Sequence, residues 1–175
     1  MALFKKTGRP FKYYDIDSFY QTYRMGLVGS KCSDEVMVRL LKATSTNAKT
    51  FKVFDDEMDE ILQSKKDNEE FERRLFTATD LNNKGIALEK DGDIASAISA
   101  YEQNILPNTY FTLNPYKRLC ILYRKAGDYA NEVRVIETCL SRAEWETKQY
   151  STSRERSYFE DRLQKARTYQ AKSNK

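Results

Sequence analysis

One segment of this chain returns 35 residues downstream. LNNKGIALEKDGDIASAISAYEQNI, from Leu81 to Ile105, comes back as YKRLCILYRKAGDYANEVRVIETCL, from Tyr116 to Leu140. Under that shift Gly92 falls on Gly127, Asp93 on Asp128, Ile98 on Val133 and Ile105 on Leu140. A period in the thirties that encloses a helix–turn–helix pattern marks stacked units, because one hairpin cannot bury its apolar face alone. The echo therefore restricts the chain to layered helical hairpins, completed by whatever helices flank them.

Composition narrows the chemistry. At 175 residues, with 40% hydrophobic content and a mean hydropathy of −0.76, the chain can bury a core beneath a heavily charged exterior. No apolar run approaches the roughly 18 residues a membrane span needs. The start, MALFKKTGRP, lacks the apolar stretch of a signal peptide, and Ala2 stands where myristoylation needs Gly. The cytoplasm is the expected location. The three cysteines, Cys32, Cys120 and Cys139, have no CxxC spacing, and histidine is absent. The chain thus lacks the commonest general base and the commonest metal ligand. No GxxxxGK[ST], GxGxxG or GxSxG motif occurs. Asp55, Asp56, Asp59 and Glu60 read as a solvated acidic helix face rather than a calcium loop, which needs a central Gly. The expectation is no catalysis, no cofactor and no metal.

Two stretches follow from patterning: 1–76, an aromatic arm and helices packed on the repeats, and 77–175, the two hairpins with a capping helix. Tyr13, Ile16, Phe19, Tyr20 and Tyr23 follow helical spacing until Gly26 and Gly29 break it. Ser33 reads as the N-cap of a helix over 34–45, with Val36, Met37, Leu40 and Leu41 on one face. A second helix is expected after Asn47, through Phe51, Phe54, Met58, Ile61 and Leu62, interrupted by SKKDNEE. A third resumes near Glu69 and can run into the first repeat. No stretch reads as a β-strand. Ser151–Gln170 reads as a charged amphipathic helix whose polar outer face suits the end of a stack. Trp145 is placed at its seam with the second hairpin. The fold class is all-α.

In the first unit Leu81, Gly85 and Leu88 stand at positions 4, 8 and 11 of a helix. Gly92-Asp93 makes the turn, and Ala97, Tyr101 and Ile105 line the return helix. In the second, Tyr116, Leu119, Cys120 and Tyr123 take the corresponding places. Gly127-Asp128-Tyr129 turns the chain, and Val133, Ile136, Cys139 and Leu140 line the return. This pattern resembles the tetratricopeptide repeat over about residues 78–145. Small residues at Gly85 and Ala97 let the two helices approach closely. The second unit departs from it with Glu132 where the family has a small Ala. The first has its proline displaced to Pro107.

The resemblance implies a non-catalytic adaptor that binds a protein or peptide on a concave face built from the first helix of each hairpin. By position that face presents Asn82, Asn83, Ile86, Glu89 and Lys90, then Asn114, Lys117, Arg118, Ile121, Arg124 and Lys125. The candidate peptide-binding residues are Asn83, Lys117, Arg118, Ile121, Arg124 and Lys125. An acidic peptide is the partner their charge suits. Asn83 and Arg118 match two positions of the family's carboxylate clamp, whereas Asn114 replaces a clamp Lys.

A rival reading comes from the net charge of +4, which is unevenly spread. Residues 1–31 and 151–175 each carry a net +4, around an acidic middle. Basic ends, with Gly8-Arg9-Pro10 near the start, suit a DNA-associated accessory or regulatory protein. The aromatic surface near residues 11–23 suits self-association.

Overall fold

A computed structural model describes residues 8–146 and 154–173. The chain forms two compact units, Met1–Arg73 and Arg74–Lys175.

The first unit opens with a strand, β1 (Phe11–Asp15), followed by α1 (Ile16–Leu27), α2 (Ser33–Ser45), a second strand, β2 (Thr50–Phe54), and the start of α3 (Asp55–Lys90). The strands pair antiparallel, Phe11 opposite Phe54 and Asp15 opposite Thr50. This corrects the strand-free expectation. Tyr, Phe, Val and Thr dominate both segments, and over five residues an aromatic run fits period 2 as well as 3.6. Phe51 and Val53 alternate into the core with Phe19, Val36, Leu40, Met58 and Ile61. The ring centroids of Phe19 and Phe51 meet edge-on at 4.8 Å. Asp15 accepts from the Ser18 N–H at 2.9 Å, so the residue that ends β1 caps α1.

Two further expectations change. Cys32, not Ser33, is the N-cap position of α2, and it makes no side-chain cap bond. The segment SKKDNEE does not interrupt a helix, because α3 runs unbroken for 36 residues. SKKDNEE contains neither Gly nor Pro to break the helix, and Ser64 and Asn68 within it donate to the Val28 carbonyl at 2.8 and 2.9 Å. Glu57, placed by neither the acidic-face reading nor the hydrophobic pattern, is buried; its Oε2 takes the Phe54 N–H at 3.0 Å and pairs with Arg39.

The second unit contains the remainder of α3, then α4 (Ile94–Asn104), α5 (Leu113–Lys125), α6 (Tyr129–Leu140), a 3-10 turn (Ala143–Glu146) and α7 (Arg154–Ser173). Of the terminal helix expected over Ser151–Gln170, 151–153 lie outside the described residues. Both echo turns have the same construction. Gly92 (φ 83°) and Gly127 (φ 72°) sit in the left-handed region, where a side chain would be strained. The next N–H reaches back five residues, Asp93 to the Leu88 carbonyl and Asp128 to that of Tyr123, both at 2.9 Å. Each Asp then caps the return helix, Asp93 through the Ser96 N–H and Asp128 through that of Asn131. One dipeptide thus ends a helix and starts its antiparallel neighbour.

The core joins Ala97, Tyr101, Tyr116, Leu119, Val133, Ile136 and Cys139 with Trp145, Phe159 and Ala166. Trp145 lies between Phe111 (5.7 Å) and Phe159 (6.3 Å) and donates from Nε1 to the Cys139 carbonyl at 2.7 Å. Burial pushes the Cys120 thiol up to about 12 and raises that of Cys139 further. Cys32 is raised too, for the same first reason. All three cysteines are free and buried. Native protein at pH 8 should react with a thiol reagent far more slowly than denatured protein, where three thiols titrate promptly. Rapid native labelling of Cys120 or Cys139, read by mass spectrometry, would contradict this packing.

Two helical glycines allow close approaches. A Cβ on Gly85 would stand 2.5 Å from the buried Tyr101 ring, and one on Gly26 only 2.2 Å from the Ile61 carbonyl oxygen. Ala in place of Gly favours a helix by roughly 0.5–1 kcal/mol, but overpacking costs about 1–3 kcal/mol. Gly85→Ala and Gly26→Ala should therefore both lower the urea midpoint, Gly26→Ala more, because backbone gives way less readily than a ring.

Candidate functional site

Across the second unit, α5 is bonded to the end of α3 by two polar contacts. Asn114 Nδ2 donates to Asn82 Oδ1 at 2.6 Å. One helical turn on, the Arg118 guanidinium forks onto Glu89, with Nε to Oε2 at 2.9 Å and Nη2 onto Oε1. Glu89 Oε2 also accepts from the Tyr101 hydroxyl at 3.3 Å. This hydrogen-bonded carboxylate raises the Arg118 guanidinium above its ordinary pKa. The bidentate geometry is the strong form of such a pair.

Beside these bonds lies an open groove of about 430 Å³, lined by Ile86, Glu89, Lys90, Asn114 and Arg118. All five stand on the face that the repeat resemblance nominates as concave. Ile86 is an exposed apolar floor, Lys90 an exposed cation, and Asn114 keeps its Oδ1 for a further donor. The groove therefore offers one apolar contact, one positive charge and one amide, and no nucleophile poised beside a base.

The six nominated peptide-binding residues separate here. Arg118 lines the groove but is committed to Glu89. Lys117 turns to α7, pairing with Glu155 at 2.6 Å. Arg124 reaches Glu132 Oε2 through Nε at 2.9 Å and lies 5.4 Å from the Tyr169 ring centre. Ile121 is half-buried, and Asn83 and Lys125 are exposed outside the groove lining. Lys90 and Ile86 belong to the groove in place of the more basic positions downstream. The missed signal is the acid facing each base: Glu89, Glu132 and Glu155 quench charges that a residue count takes as available.

Glu132 also accounts for its own departure from the repeat pattern. Its side chain is 0% exposed, and Arg162 of α7 donates from Nε to Oε1 at 2.8 Å. Arg162 Nη2 caps the Cys120 carbonyl at 2.8 Å. One carboxylate thus connects α5, α6 and α7. Among the described residues, no group of three or more His, Cys, Asp or Glu side chains is arranged to hold a metal ion. No described helix is long and apolar enough to cross a membrane. No protein-family model, curated protein or solved structure matches this chain.

Replacing Glu132 by Ala, the residue the repeat pattern would prefer, strands two partly buried guanidiniums. The expected loss is about 3–5 kcal/mol of unfolding free energy, measurable by urea denaturation. A triple replacement of Glu132, Arg124 and Arg162 by apolar residues should recover much of it. An Ala variant as stable as the parent would show that the carboxylate ties nothing together.

Proposed function

We propose that this chain is a non-catalytic adaptor of the cytoplasm that binds a protein or peptide partner along the first helices of a short tetratricopeptide-like array. The observation that carries the reading is the groove between α3 and α5, with Ile86 as floor and Lys90 and Asn114 as polar edges. An extended peptide fits such a surface: an apolar side chain covers Ile86, an acidic one meets Lys90, and a main-chain N–H donates to Asn114. Arg118 shapes the wall rather than binding an acidic ligand directly, because a ligand carboxylate would have to displace Glu89. The 35-residue echo and its two matching Gly-Asp turns support the repeat-like part of the proposal.

Selection from a random-peptide display library, followed by calorimetry on the winners, tests this. The selected peptides should share an apolar residue near an acidic one. Ile86→Glu with Lys90→Glu should weaken them by about tenfold or more, some 1.4 kcal/mol or above, with helicity unchanged since both side chains are exposed. Peptides that bind parent and variant equally would place recognition elsewhere.

A further inference from the structure

The two strands of the first unit are treated differently at their outer edges. Asp55 donates to the Pro10 carbonyl and Ile16 to that of Lys49, each across the same register. Lys12 and Tyr14 therefore point their main-chain groups into the ladder, while Phe11 and Tyr13 point theirs away from it. On β2 two of the corresponding outward groups have partners. The Lys52 carbonyl accepts from Arg39 Nε at 3.2 Å, and the Phe54 N–H donates to Glu57. On β1, among the described residues, the outward groups of Phe11 and Tyr13 have no partner. Their side chains stand open as well, Phe11 44% and Tyr13 66% exposed.

Native sheets usually blunt such an edge with a proline, a bulge or a covering element. Here Pro10 precedes the strand and the register with β2 is unbroken, so neither a proline nor a bulge interrupts the edge. We infer that the outer edge of β1 pairs antiparallel with β1 of a second copy of this chain, about a two-fold axis at Tyr13. An unpaired edge is completed by another strand, since only a strand offers donors and acceptors at the same spacing. Self-pairing fits this sequence in particular. A two-fold register centred on Tyr13 lets it exchange both main-chain bonds with Tyr13 of the second copy. It sets Lys12 opposite Tyr14 and Phe11 opposite Asp15, and opposes no like charges. Aromatic pairs and a cation beside a ring favour such a contact. A register shifted to centre on Lys12 would set two ammonium groups face to face.

The strand has five residues, so its pairing alone falls below the area of a permanent interface and makes a reversible dimer. Both copies use the same patch, so association closes at two.

Sedimentation velocity over a concentration series tests this directly. The parent should move from 20.5 kDa towards twice that mass as concentration rises. Tyr13→Lys and Tyr13→Glu should each sediment as monomers, and an equimolar mixture of the two should recover the dimer. Circular dichroism checks that the variants fold. Independently of them, hydrogen exchange on the parent should slow at the Phe11 and Tyr13 amides as concentration rises. Those of Lys12 and Tyr14, already in the ladder, should not change. A parent that stays monomeric throughout, a dimer that survives in both single variants, or Phe11 and Tyr13 amides indifferent to concentration would overturn the inference.

Discussion

The second unit depends on a carboxylate that has left water. Glu132 is wholly enclosed, and an enclosed charge is tolerated only where its partners replace the lost hydration. Arg124 and Arg162 supply that replacement from either side. Because the two arginines come from different helices, the requirement fixes where α7 can lie against α5 and α6. With α7 set, Glu155 falls beside Lys117 and Phe159 beside Trp145. A small residue at position 132 would let two helices approach, but would leave the third without this tie.

Charge pairing of the same kind shapes the groove. Arg118 and Glu89 cross from α5 to α3, with Tyr101 adding a hydroxyl from α4. The pair therefore gives the wall a defined shape and little net charge. What remains for a ligand is modest: the Ile86 side chain, the Lys90 ammonium and the Asn114 amide. Such a surface favours recognition through an extended main chain and one or two side chains over capture of a strong anion.

In the first unit, helical spacing among the aromatics was half right. Ile16, Phe19 and Tyr23 do share a helix, but Tyr13 and Phe51 stand on strands. Over five residues the two periods cannot be told apart, and Tyr, Phe and Val suit either. The choice is made by pairing: β1 and β2 lie 35 residues apart in the chain, and each is a strand only because the other satisfies its main chain. An edge left open is likewise invisible until the ladder's parity is known.

By itself the sequence determined the helical class, the two hairpin turns and the apolar stripes. Each of these is local: Gly followed by Asp closes one helix and caps the next, and helical spacing places the core side of each segment. The face on which Ile86, Glu89, Lys90, Asn114 and Arg118 gather was nominated instead by the repeat resemblance, carried over position by position. Tertiary structure decided which of the charges on and around that face remain available. Glu89 meets Arg118 across 29 positions, and Glu132 meets Arg162 across 30, in pairings that no window of sequence contains. Their outcome follows from desolvation, which acts on whatever the fold brings together, however far apart it began.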